Sequence, residues 1–127
     1  MLNRHRHMLI AAAFAAVAML SALPLSAHHG WGGYVDQTSD ITGTVVTGVS
    51  LAGPHATMRI KADNQTWDVV LAPPARTEAA GLKEGIIPVG ATVTVHGNRS
   101  RDPKKLEIKT TKVTWEKQVF NVYPDRA

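Results

Sequence analysis

Residues 41–49 read ITGTVVTGV, and this stretch decides the fold of the chain. Ile41, Val45 and Val49 share one face of a period-two pattern, while the residues between them are mostly polar or small, as in a half-buried β-strand. The two glycines of the stretch favour bends or bulges of the kind that a coiled barrel strand needs. The stretch therefore predicts a long first strand that curves around a core.

Shorter segments with the same period follow this strand. Asp63-Asn64 lies between two of them and is a typical hairpin turn. Pro73-Pro74 ends the third strand, and residues 75–80 can form a short helix that stops at Gly81. The predicted later strands are residues 56–61, 66–71, 92–98, 106–115 and 119–123, with a bulge near Thr110.

Five to six short strands with one short helix between the third and the fourth indicate an all-β fold. That order is typical of a small OB-like Greek-key barrel, and an open sandwich of the same strands is the alternative. The alternation predicts one barrel core that contains Val45, Met58, Ile60, Trp67, Val69, Val93, Val95 and Ile108.

The amino-terminal segment has the pattern of a secretion signal. Arg4 and Arg6 precede an apolar run at residues 8–23, and Ser26-Ala27 supplies small residues before a cut. The run is shorter than the roughly 20 residues of a membrane-spanning helix, although an uncleaved anchor remains the alternative. We expect a periplasmic or secreted protein with no stable membrane anchor after cleavage, divided into a signal peptide (1–27), a His/Gly arm (28–39) and a single β-barrel domain (40–127).

Composition limits the functional classes. The 127-residue chain has no cysteine, so neither a disulfide framework nor a thiolate metal site is available. Arg4 and Arg6 leave with the signal, so 12 basic residues face 10 acidic ones and the formal net charge falls from +4 to +2. Because this excess is small and the aromatic residues do not alternate with the cations, we expect no nucleic-acid partner.

Histidines at the expected new terminus predict a metal site. A cut after Ala27 leaves His28 with a free α-amine and a ring Nδ1 for one ion, and His29 or His55 can add a further nitrogen. A cut one residue earlier gives Ala-His-His, in which amine, two backbone amides and the His29 ring can enclose Cu(II). Sites made only of nitrogen favour Cu(II) or Ni(II). Copper is therefore the expected cofactor, with His28, His29 and His55 as ligands, whereas His96 is expected to face solvent.

These features favour a small periplasmic binding module for Cu(II). The alternative is a structural or partner-binding OB-like module, bound to another periplasmic protein, with no metal role for its histidines. Enzyme chemistry has little support, because the chain has no cysteine, no G-x-S-x-G motif and only scattered acidic residues. No catalytic residue is predicted.

A series of short motifs also occurs in a distinctive order along the chain. The series is HHGW at 28–31, TGTV at 42–45, Pro54-His55, WDVVLAPP at 67–74, Arg76, Gly81-Leu82, Gly90, VTV at 93–95, Gly97 and SRD at 100–102. In this order the motifs resemble DUF6152, a family of small exported bacterial proteins of unknown function. The chain departs from the family's pattern at Gly53, where the family usually has asparagine. The resemblance implies export and a small β fold, and it implies no activity.

Overall fold

The computed structural model describes residues 30–126. Residues 30–32 belong to an amino-terminal unit, and the unit that contains the sheet begins at Gly33. Six strands, one α-helix and one 3-10 helix follow. They are β1 (Tyr34–Ser50), β2 (Thr57–Ala62), β3 (Gln65–Val70), α1 (Pro74–Ala79), β4 (Thr92–Ser100), β5 (Glu107–Trp115), β6 (Gln118–Asn121) and the 3-10 helix Pro124–Arg126.

The strands close into a ring, which confirms the predicted small barrel. Hydrogen-bonded neighbours run in the order β3-β2-β1-β4-β5-β6. A short parallel pairing of β3 with β5, from Asp68↔Glu107 to Val70↔Lys109, joins the two sides of the sheet. All other pairings are antiparallel. This order is that of an OB-like Greek-key barrel, with β6 added at the outer edge of β5.

Strand β1 pairs with two other strands in succession. Its first part pairs with β4 as far as Thr44↔Thr92, and its second part pairs with β2 from Thr44↔Lys61 onward. Register shifts interrupt both ladders, so the strand bends around the barrel. β1 begins at Tyr34, so six residues of the predicted arm are strand. Those residues lack alternation, and their order comes from backbone pairing with β4.

The eight core residues predicted from the alternation are all buried. The bulge predicted near Thr110 is also present, as a register shift between His96 and Gly97 on the facing strand β4. Helix α1 occurs where it was expected, and Gly81 follows it with a φ of +98°. Five further large apolar side chains are fully buried, and they extend the core toward α1 and the carboxyl-terminal segment: Leu71, Leu82, Ile87, Val113 and Val122.

Local turn chemistry agrees with this topology. Asp63 and Asn64 both have positive φ, 51° and 63°, as a tight two-residue hairpin between β2 and β3 requires. The hydroxyl of buried Thr77 in α1 donates to the Ala72 carbonyl at 2.8 Å, which ties the helix to the end of β3. No helix within residues 30–126 is long and apolar enough to cross a membrane.

Candidate functional site

Two of the three predicted metal ligands, His28 and His29, lie outside the described residues. The first described residue, Gly30, follows them directly. The sheet unit starts three residues later, where the Gly33 carbonyl accepts a hydrogen bond from the backbone N–H of Arg101 at 2.9 Å. The histidine pair therefore stands only a few residues before a strand that is fixed at its first position.

The third predicted ligand, His55, lies in the connection between β1 and β2 and is half-buried. Within residues 30–126 its side chain makes no hydrogen bond or ion pair. The turn is tight, because a Cβ built on Gly53 would lie 3.0 Å from the His55 carbonyl oxygen. The ring nitrogens of His55 thus remain available for a ligand.

His96 has a partner that the sequence pattern did not reveal. It lies on β4 opposite Asp40 of β1, and its Nδ1 is 2.6 Å from the Asp40 Oδ1. The His96 side chain is 23% exposed to solvent, and the Asp40 side chain is 65% exposed. The signal for this pair is the strand register, which the sequence alone does not provide.

The described part of the chain brings no three His, Cys, Asp or Glu residues together as a metal-binding group. His55 follows the end of β1, whereas the arm enters at its beginning. The structure therefore does not gather the histidines of residues 30–126 into one centre.

A pair of residues, Trp67 and Arg99, lies at the open end of the barrel, next to the point where the pairing of β3 with β5 begins. The indole of Trp67 on β3 is 8% exposed, and the guanidinium of Arg99 on β4 lies 5.0 Å from the ring centroid. Arg99 has the same alternation as Val93, Val95 and Gly97 along β4, but it lies near the end of the strand and is exposed. The strand predicted over residues 92–98 stops one residue before Arg99, whereas the structure extends β4 to Ser100. The spacing of Arg99 from Val95 was the available signal for its true position.

Two clefts meet at this Trp67–Arg99 pair. The larger, of about 500 Å³, opens where β3 and β5 have not yet paired, between Gln65 and the β4–β5 turn. Its basic members are Arg99, Arg101 and Lys105. The smaller, of about 220 Å³, lies between β1 and the β2–β3 hairpin and contains Asp40 and Asp63. The barrel end is thus basic on one side of Arg99 and acidic on the other.

A half-buried polar cluster lies on the outer side of β5. The Tyr34 hydroxyl donates to the Glu107 Oε2 at 2.7 Å, and burial followed by this hydrogen bond raises the pKa of Tyr34. The Lys109 ammonium lies 5.7 Å from the centroid of the Tyr34 ring, and burial with nearby Arg126 lowers the pKa of Lys109. Burial also raises the pKa of Tyr123. The cluster fixes the start of β1 to β5.

Fold and sites together define a small all-β barrel domain of the OB-like kind, with clefts at its open end. The particular family follows from the sequence. The chain belongs to DUF6152, a family of unknown function, whose sequence model matches residues 14–109. No curated protein matches the chain.

Several solved structures are similar to part of this chain. The ZRD-deleted mutant of TiaS in complex with agmatine is 15% identical, with a TM-score of 0.51 over 68% of this chain and 26% of that one. Apo TiaS, a tRNAIle2 agmatidine synthetase, is 16% identical with a TM-score of 0.48 over 62% and 18%. A tRNA fluorescent labeling enzyme is 16% identical, with a TM-score of 0.48 over 65% of this chain and 18% of that one. The matched region spans about a quarter or less of these chains, and at such identity the likeness concerns the fold alone.

Proposed function

We propose that this protein is a small exported binding module that takes Cu(II) at its amino-terminal histidines. The observation that carries the proposal is the position of His28-His29 directly after the expected cut. Export exposes a new α-amine beside two imidazoles. Three nitrogen donors within two residues then become available to one ion, without ordering much of the chain.

The chemistry follows from donor type. The α-amine and ring Nδ1 of His28 form one chelate ring, and a second imidazole completes a set of nitrogens that suits Cu(II). In the Ala-His-His form, the amine, two deprotonated amides and the His29 ring do the same. Protons compete for these nitrogens, so Cu(II) affinity falls in mild acid.

The barrel contributes a fixed attachment point. Gly33 is held to the β4–β5 turn by the bond from Arg101, and Tyr34 is held by Glu107. From His29 to Tyr34 the chain spans at most about 18 Å. His29 is the immediate neighbour of His28, whereas His55 follows all 17 residues of β1 along the chain. The proposal therefore places the next nitrogen on His29 first and on His55 second.

The test is calorimetric titration of the signal-cleaved protein with Cu(II) in the presence of a competing chelator. Mass spectrometry of the same sample first fixes the terminus. Acetylation of the α-amine keeps every imidazole but removes the amine as a donor in either form of the terminus. His29→Ala and His55→Ala remove the candidate next ligands, and His96→Gln is the matched control because it keeps a polar partner for Asp40.

We expect acetylation to reduce Cu(II) affinity strongly and His96→Gln to leave it unchanged. If the acetylated form binds as tightly as the native terminus, the terminal chelate is not the site. If His29→Ala and His55→Ala are also silent, the histidines are surface residues, and the partner-binding module without a metal role becomes the better proposal. Retention of Met1 would remove the export and the chelate together.

A further inference from the structure

The larger cleft at the barrel end has the size of a small-molecule site. Its volume of about 500 Å³ falls within the roughly 300–1,000 Å³ that such sites occupy. It exists because β3 pairs with β5 only from Asp68 onward, which leaves Gln65 and Trp67 facing the β4–β5 turn across a gap. The barrel topology thus leaves this opening without breaking any strand pairing.

The wall of the cleft is mixed in character. Val35, Trp67, Pro103 and Leu106 supply apolar surface, and Gln65 and Ser100 supply neutral hydrogen-bonding groups. This composition suits a ligand with an apolar body and a polar head.

The charge of the cleft determines whether it favours an anionic or a cationic head group. Within residues 30–126, Arg99 and Lys105 form no ion pair with a carboxylate. Arg101 has Asp36 at 3.7 Å. Asp102 is the carboxylate that lines the cleft. It accepts a hydrogen bond from the backbone N–H of Lys104 at 3.0 Å and so stabilises the β4–β5 turn. Two cations of the cleft therefore lack a counter-charge in the described structure.

Arg99 is positioned for anion recognition. Its guanidinium lies over the Trp67 ring at 5.0 Å, and this contact limits the positions of the group, while within residues 30–126 its N–H groups donate no hydrogen bond to another side chain. The planar fork of arginine matches a carboxylate or phosphate with two parallel hydrogen bonds. Lys105, on the same cleft, adds a point charge.

We propose that this cleft binds a small organic anion, whose carboxylate or phosphate lies on Arg99 and Lys105 and whose apolar body contacts Leu106 and Pro103. The site is independent of the copper proposal, because none of its lining residues is a histidine. The acidic cleft on the other side of Arg99 defines the competing possibility, a cationic ligand.

The test is two-dimensional NMR of the ¹⁵N-labelled, signal-cleaved protein in EDTA, which keeps copper out of the measurement. Four probes share one ring: benzoate, phenyl phosphate, benzyl alcohol and benzylamine. The readouts are the Trp67 indole N–H and the backbone amides of residues 99–106. We expect saturable shifts with one or both anions, and weaker or no shifts with the alcohol and the amine.

Arg99→Met keeps an aliphatic chain over Trp67 but removes the fork, and it should weaken anion binding at least about tenfold. Arg76→Met is the matched control, since Arg76 lies over another ring, Tyr123, at 5.5 Å. It should leave binding unchanged, and Arg99→Lys should restore part of it. The indole signal and thermal melting verify that each variant is folded.

Preference for phosphate over benzoate, or the reverse, identifies the head group. Equal binding of benzyl alcohol, stronger binding of benzylamine, equal losses in Arg99→Met and Arg76→Met, or no saturable shift with either anion would each overturn the proposal.

Discussion

Gly97 on β4 offers the sharpest test of the barrel packing. A Cβ built there would lie 2.0 Å from the Lys109 carbonyl oxygen and 2.8 Å from the Thr110 Cα on β5. Both are backbone atoms of the paired strand, so no side-chain rotation can relieve the contact. Gly97→Ala must therefore push β4 and β5 apart by about 1 Å at the Gly97↔Thr110 pair.

The expected cost follows from what this displacement disturbs. Overpacking a well-filled core costs about 1–3 kcal/mol, and each weakened ladder hydrogen bond adds about 1 kcal/mol. We expect Gly97→Ala to lower the free energy of unfolding by about 3–5 kcal/mol, a large part of the roughly 5–15 kcal/mol of a typical domain. The measurement is urea denaturation of the protein followed by circular dichroism.

The matched control is Gly48→Ala on β1. There the nearest atom to the added Cβ is the Ile87 carbonyl oxygen at 3.9 Å, an ordinary contact, and neither glycine has a positive φ. We expect this variant to stay within about 0.5 kcal/mol of the native protein. If the free energy of unfolding of Gly97→Ala also lies within about 1 kcal/mol of the native value, the close approach of β4 to β5 is wrong.

Two further predictions concern aromatic residues. Trp67→Ala should lower the free energy of unfolding by about 3–5 kcal/mol because the ring is buried, and near-zero destabilisation in the same denaturation assay would contradict the strand register. Tyr34→Phe removes a hydroxyl whose pKa is raised above the ordinary 10.0. Above about pH 10 an unfolded tyrosine releases its proton, whereas the folded Tyr34 retains it. The free energy of unfolding of the native protein therefore falls in this pH range. Its advantage over Tyr34→Phe should shrink from about pH 9 to about pH 11, and a constant or growing advantage would argue against a neutral hydroxyl on Glu107.

Much of the fold could be read from local pattern. Alternating residues identified the inward face of each strand, and all eight predicted core residues are buried. The Asp63-Asn64 turn and the stop at Gly81 were also predictable, because each depends on the backbone preferences of one or two residues.

The start of β1 was not predictable in this way. Residues 34–39 carry no apolar alternation, and their strand conformation comes from pairing with a segment about 60 residues later. For the same reason the predicted fourth strand stopped before Arg99, which pairs with Ile108 of β5.

The proposed copper site depends on sequence alone. His28 and His29 are neighbours along the chain, and their nitrogens can meet at one ion whatever the barrel does. The histidines farther along the chain are different, because the register paired His96 with Asp40 and left His55 in a separate turn.

By itself, then, the sequence determined the strand pattern and the core face, and it alone supports the proposed terminal copper site; all of these depend on residues close together along the chain. Only the tertiary structure decided that Arg99 lies over the Trp67 ring, that Gly97 closely approaches Lys109, and that a basic and an acidic cleft share one barrel end. The physical reason is that these contacts join different strands. Their geometry is set by register and ring closure, which no local pattern encodes.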